Sequence, residues 1–283
     1  MGRYRFLRFP EGKFKAVTFS YDDGVKDDIR LAETLDRYGL KGTFNINNFS
    51  SDTKLTPEEV ERHILASGHE VAVHGKHHLA SGAASPLECI KDALFGREEL
   101  EQALGRIIRG MAYPDSGIRN FSNGNSYENV KASLTSLGIV YARTLGGDND
   151  SFKIPTDWHA WMPTAHHSNP DIMKYVNSFV AIKEENFKFA SGRWPRLCYI
   201  WGHSFEFSRN NNWELLDEMC EALSGQDDTW YATNMEIYEY VTAYNSLVTS
   251  ADGSMIYNPT LKTIWFMFDN KNYVVAPGET IKI

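Results

Sequence analysis

A chain of 283 residues suits one large catalytic domain with a small appendage. Its net charge of −8 is spread over interspersed acids and bases, which excludes the clustered basic patch that nucleic-acid binding needs, and no window approaches a membrane span. Three cysteines without metal spacing (Cys89, Cys198 and Cys220) argue for buried free thiols rather than a disulfide framework. The odd count, with no apolar stretch of signal-peptide length near the N-terminus, makes a cytoplasmic location the expectation; the alternative is a secreted form whose signal has been removed. Aromatic residues, at 13%, are abundant enough for either a large core or a carbohydrate cleft, since aromatic faces stack on the C–H faces of sugars.

Short apolar runs alternate with amphipathic helical patterns. Ala16–Ser20 reads as a buried strand and Asp27–Tyr38 as a helix stopped by Gly39. Gly42–Asn47 is the next strand. Thr56-Pro57-Glu58-Glu59 starts a second helix with an N-cap, an acid three residues later and a proline at the first turn. Glu70–Val73 is a strand, and Ser85-Pro86-Leu87-Glu88 starts a helix that runs to about Leu104. Further strands are predicted at Ile107–Met111, Ile139–Arg143, Leu197–Trp201 and Thr229–Ala232. Further helices are predicted at Tyr127–Leu137, Trp213–Leu223 and Met235–Tyr244. Strand–helix alternation on this scale implies a parallel sheet, and about seven units imply an α/β barrel. From Leu247 the helical period stops. Short strand patterns separated by turn residues predict an antiparallel β appendage over 247–283, beside a barrel over 1–246.

Five segments offer chemistry. Thr18-Phe19-Ser20-Tyr21-Asp22-Asp23-Gly24 places two carboxylates at a strand end, a costly arrangement unless a cation neutralises them; a plain surface turn is the competing reading. His74-Gly75-Lys76-His77-His78 holds two histidines four apart, which a helical turn would bring to one side, in reach of one ion. Two histidines and one carboxylate form a familiar catalytic zinc set. Arg109, on the predicted strand before Tyr113, either meets a buried anion such as Asp22 or snorkels to the surface. Asp157-Trp158-His159-Ala160-Trp161 offers two indoles as pocket walls. The following His166-His167 is disfavoured as a second metal pair, because adjacent residues rarely aim at one ion. His203 sits one glycine beyond the strand Leu197–Trp201, where barrel strands carry catalytic groups; alone, it reads as well as a packed histidine. Asp27 and Asp28 read as helix-start acids, and His63 and His69 as structural.

In this order the five segments resemble the motifs of the NodB homology domain of polysaccharide deacetylases, carbohydrate esterase family 4, over roughly residues 14–245. The resemblance implies a distorted (β/α)7–8 barrel and a metal-dependent hydrolase that removes acetyl groups from an N- or O-acetylated sugar. It implies Asp23, His74 and His78 as ligands of a divalent ion, Zn2+ first with Co2+ or Ni2+ as alternatives. It further implies a metal-activated water as nucleophile, Asp22 as general base, Arg109 orienting it, and Tyr113 giving an oxyanion N–H. Asp157 would support the arginine, Trp158 would line the acetyl pocket, and His203 would be the general acid. The sequence departs from the family pattern at Gly75, where Ser or Thr is usual, at Gly202, where an aliphatic residue is usual, and in the spacing of the third motif. These mark a divergent branch. The alternatives are an amidohydrolase of the same fold acting on a non-sugar amide, and an inactive carbohydrate-binding protein.

Overall fold

The computed structural model describes residues 4–189 and 192–283. Its elements, in chain order, begin with β1 (Arg5–Arg8), β2 (Lys15–Asp22), α1 (Asp27–Arg37), β3 (Gly42–Ile46) and α2 (Pro57–Glu59), which continues as π-helical turns over Val60–Leu65. Next come β4 (Glu70–Val73), α3 (Pro86–Leu104), β5 (Gly110–Ala112), α4 (Tyr127–Ser136), β6 (Tyr141–Arg143), β7 (Ala165–His166), α5 (Ile172–Ala181) and β8 (Arg196–Gly202). The chain finishes with α6 (Phe205–Asn210), α7 (Glu214–Leu223), β9 (Thr229–Tyr231), α8 (Asn234–Asn245) and β10 to β14 (Val248–Thr249, Met255–Tyr257, Ile264–Phe268, Lys271–Val275 and Thr280–Lys282). Two helix starts follow the anticipated chemistry: Thr56 and Glu59 form a reciprocal capping box, and the Ser85 hydroxyl accepts the Glu88 N–H.

An eight-stranded parallel sheet runs β6-β5-β4-β3-β2-β8-β7, with β9 alongside the first half of β2. It curls into a barrel. Trp161 bridges to Arg143 on β6, and four residues later Ala165 pairs with Ile200 on β8, so one segment spans the gap between the sheet's ends. Strand alternation decides what fills each face. Val17, Phe19 and Tyr21 of β2 pack outward with Leu31 and Leu35 of α1, Phe44 and Val73. The inward residues of the same strand are Ala16, Thr18, Ser20 and Asp22, so the interior becomes polar towards the carboxyl end of β2. The Thr18 hydroxyl donates to Asn234 Oδ1 (3.0 Å), and Asn45 Nδ2 donates to Ser20 Oγ (2.7 Å) and Asp22 Oδ1 (2.9 Å).

The N-terminal ends of the strands are closed by α8. Its first residue, Asn234, is buried; its N–H donates to Thr43 Oγ1 and its side chain to Tyr199 OH. Glu70 receives Tyr141 OH, Thr43 Oγ1 and the Met235 N–H there.

The tail forms two three-stranded antiparallel sheets, β10-β11-β14 and β1-β12-β13. β1 comes from the chain start and pairs Arg5–Arg8 with Phe268–Trp265. Leu7, Phe9, Ile264, Phe266 and Val275 share one apolar core with Ala16, Tyr141, Trp161, Leu197 and Tyr199 of the barrel. No helix among the described residues is long and apolar enough to cross a membrane.

Candidate active site

The carboxyl ends of β2, β4, β6 and β8 bring together Asp22 and Asp23, His74 and His78, Arg143, and His203. Asp22 is the last residue of β2 and is buried. Burial alone raises its carboxyl, but Arg143, His74 and His203 outweigh that and hold it below the usual carboxylate range. Arg143 Nη2 donates to Asp22 Oδ2 at 2.5 Å, and both side chains are almost completely buried. The guanidinium also lies over the Trp201 ring, 4.2 Å from its centroid.

Asp23 turns away from Asp22 because its backbone is left-handed (φ 84°), an unusual conformation for a residue other than glycine. Its Oδ1 accepts from Asn47 Nδ2 at 3.1 Å and lies 3.6 Å from His78 Nε2 and 4.0 Å from His74 Nε2. His74 and His78 meet across an irregular loop rather than the helical turn expected from their spacing. The loop reverses at Gly75 (φ 66°) and at His78 (φ 56°), and the two rings end 4.9 Å apart. His74 Nδ1 bonds the Ala112 carbonyl at 3.0 Å, which leaves Nε2 facing Asp23. One ligand atom from each of Asp23, His74 and His78 lies within 4.8 Å of the others. A carboxylate, two imidazoles and a carbonyl that fixes one ring's tautomer fit a divalent cation. Two of these three residues hold strained backbone, as is common where the surroundings fix a functional geometry.

His203 closes the site from β8. Its Nε2 is 3.9 Å from Asp23 Oδ2, and its Nδ1 is 3.7 Å from Glu206 Oε1. Burial lowers its pKa, but Glu206, Asp22 and Asp23 outweigh burial and leave it above the ordinary imidazole value.

Other expectations fail here. Arg109 precedes β5, so it sits at the opposite end of the strand from the site, half-exposed and 3.6 Å from Glu239. Arg143 occupies the place expected of it. Tyr113 cannot give its N–H to an oxyanion, because that group donates to the Arg143 carbonyl in continuation of the sheet; its hydroxyl is buried on the His159 carbonyl. Asp157 supports no arginine. It accepts from Tyr127 OH, Lys131 Nζ and the His159 N–H. Trp161 is fully buried between Tyr141 and Tyr199. Trp158 packs on Tyr238 of α8 and lines a cleft of about 680 Å³ with Leu7, Trp194 and Tyr244, near the beginning of β8. The two indoles pack edge-on against each other, with ring centroids 4.9 Å apart.

Three side chains of the site were not anticipated. Arg143 ends a strand, the position where barrels carry functional groups, and the same rule applied to both arginines favours it over Arg109. Asn45 is a polar residue inside a buried strand. Glu206 lies three residues after His203, within side-chain reach at the start of a helix.

The family model for polysaccharide deacetylase matches residues 9–141, the stretch that carries Asp22, Asp23, His74 and His78. Over that stretch, just under half of its length, the chain is similar to the polysaccharide deacetylase family. No curated protein sequence matches it. Among solved structures, one ascribed to a polysaccharide deacetylase of Mycobacterium smegmatis is 19% identical, with a TM-score of 0.54 over 84% of this chain and 94% of the other. The Xyl-CE4 domain of a multidomain xylanase from the hindgut metagenome of Trinervitermes trinervoides is 16% identical, with a TM-score of 0.51 over 82% and 92%. The chitin deacetylase of Colletotrichum lindemuthianum is 16% identical, with a TM-score of 0.50 over 82% and 89%. At these identities the likeness establishes a shared fold.

Proposed function

We propose that this chain is a metal-dependent hydrolase of the polysaccharide deacetylase family that releases acetate from an N- or O-acetylated sugar, with Asp22 as general base and His203 as general acid. The observation that carries the reading is the meeting of the Asp22–Arg143 pair, the Asp23–His74–His78 group and His203 at one end of the barrel. A divalent ion held by Asp23, His74 and His78 supplies Lewis acidity and makes a nearby water easier to deprotonate.

The side chains do the rest. Arg143 fixes the Asp22 carboxyl and keeps it ionised, so it is ready to take the proton of an attacking water. Asn45 donates to the other oxygen and fixes the carboxyl plane. Water adds to the acetyl carbon, and the C–N or C–O bond then breaks. His203 gives its proton to the departing nitrogen or oxygen, and acetate is released. Glu206 orients His203 from its far side and favours the protonated ring.

Acetate release is to be measured across acetylated mono- and oligosaccharides with Zn2+, Co2+ or Ni2+ supplied. The account expects turnover on at least one acetylated sugar, abolished by chelation. It expects a fall of about 10²–10⁴ in His203→Gln, the usual weight of a positioned acid. Hydrolysis of non-sugar amides with no acetate from any sugar would overturn the substrate assignment. Wild-type turnover in His203→Gln would remove its role.

A further inference from the structure

We propose a second divalent-cation site, formed by His166 Nε2, His167 Nε2 and Glu206 Oε2, beside the site already described and built from other residues. The adjacent histidines aim at one point because β7 ends at His166 and the chain turns there. Their rings lie 4.7 Å apart and tilted by 35°. Each Nε2 lies 3.3 Å from Glu206 Oε2, and one ligand atom from each of the three residues lies within 4.8 Å of the others. Bonds of 2.0–2.2 Å in a tetrahedron put ligand atoms about 3.3–3.6 Å apart, so these two spacings suit an ion without movement. They are tighter than the 3.6 and 4.0 Å between Asp23 and its two histidines.

The two carboxylate oxygens of Glu206 divide the work. Oε1 receives Arg209 Nη2 at 3.2 Å and faces His203 Nδ1, whereas Oε2 is buried with no hydrogen-bond partner. His167 is clamped between the Phe207 ring (4.1 Å, stacked) and Tyr21, and His166 stays partly exposed, which leaves a way in. His166 Nδ1 meets both the Ser168 N–H and the Ser168 hydroxyl. Loading moves the ring proton of His166 from Nε2 to Nδ1, where it donates to Ser168 Oγ, and the hydrogen bond from the Ser168 N–H is given up. Two imidazoles and one carboxylate select a borderline cation such as Zn2+, Co2+ or Ni2+ over Mg2+ or Ca2+. Such an ion ties the end of β7 to α6 and fixes the loop carrying His203 between two centres.

The test is zinc content after metal-free protein is loaded and desalted, with folding checked by circular dichroism. His166→Ala is the main variant, because His166 is partly exposed, and Glu206→Gln is the second. The wild type should hold two equivalents. Each of these variants should hold one, Asp23→Asn should hold one, and Asp23→Asn/His166→Ala none. A wild type with one equivalent, kept in His166→Ala and lost in Asp23→Asn, would overturn this site and leave the proposed hydrolytic centre standing. One equivalent lost in His166→Ala and kept in Asp23→Asn would uphold this site and sink the other.

Discussion

Asp22 depends on an arginine from another strand, and two family departures depend on side chains that a linear reading does not connect. A Cβ on Gly75 would lie 2.2 Å from Asp92 Oδ2. Asp92 accepts the His77 N–H at 2.5 Å and the Leu79 N–H at 3.2 Å, so a carboxylate from α3 braces the histidine loop in place of the usual hydroxyl. A Cβ on Gly202 would lie 2.0 Å from His167 Nδ1, so the imidazole takes the room of the aliphatic side chain. Gly202→Ala should therefore destabilise by about 1–3 kcal/mol, the usual cost of overpacking, and Gly202→Ala/His167→Ala by less than the sum of its parts. Strict additivity in denaturant melts would show that the two positions are uncoupled. The two arginines separate equally clearly. Arg143→Ala leaves Asp22 buried and unpaired and should cost about 3–5 kcal/mol along with most activity, whereas half-exposed Arg109→Ala should stay within about 0.5 kcal/mol. Comparable losses from both would return Arg109 to the site. That Asp23, His74, His78 and His203 come close together was legible because the segments carrying them follow strands, although His74 and His78 meet through a loop and not through the helical turn their spacing suggested. Arg143, Asp92 and Glu206 were not, because their partners lie far away in sequence or were assigned to another residue.

At the scale of elements, periodicity located the strands and helices that surround the site but not those that depend on distant partners. β5 begins at Gly110, past Arg109, and that shift decides which arginine reaches the carboxyl ends. β1 is four residues long, Arg5-Phe6-Leu7-Arg8, with no polar–apolar alternation to mark it; it is a strand because β12, some 260 residues away, pairs with it. β7 is two residues long, and α5 lies in a stretch where no element was expected. The junction of β4 with α8 carries a pH dependence. Burial pushes Glu70 up to about 7 despite its three donors. A carboxyl whose folded pKa is raised binds more protons folded than unfolded. Its stabilising contribution is complete below about pH 4.3 and is lost as pH rises to about 7. Glu70→Gln should flatten that stretch of the stability–pH curve. A curve as steep as wild type in the variant would assign the slope to other groups.

For the whole molecule, the alternating pattern sufficed for a barrel, while the place of the tail emerged only in three dimensions. The segment 247–283 supplies Ile264, Phe266 and Val275 to a core shared with Tyr141, Trp161 and Tyr199. Removing it strips β1 of its partner strand and exposes that core, so truncation after Ser246 should lower the melting temperature and promote aggregation. Any truncated protein that stays folded should still take up metal at Asp23, His74 and His78, since none of the tail residues reaches them; loss of that uptake in a folded truncation would join the tail to the site. The account as a whole rests on adjacent carboxylates with separate duties, because the left-handed turn at Asp23 points one side chain at the histidines and leaves the other on Arg143. Metal content and acetate release, measured together on Asp22→Asn and Asp23→Asn, test this most directly. Asp22→Asn should keep the full metal content and lose most turnover, and Asp23→Asn should hold one equivalent fewer than wild type and lose turnover with it. Loss of the ion in Asp22→Asn and its retention in Asp23→Asn, or wild-type acetate release in both, would contradict the account.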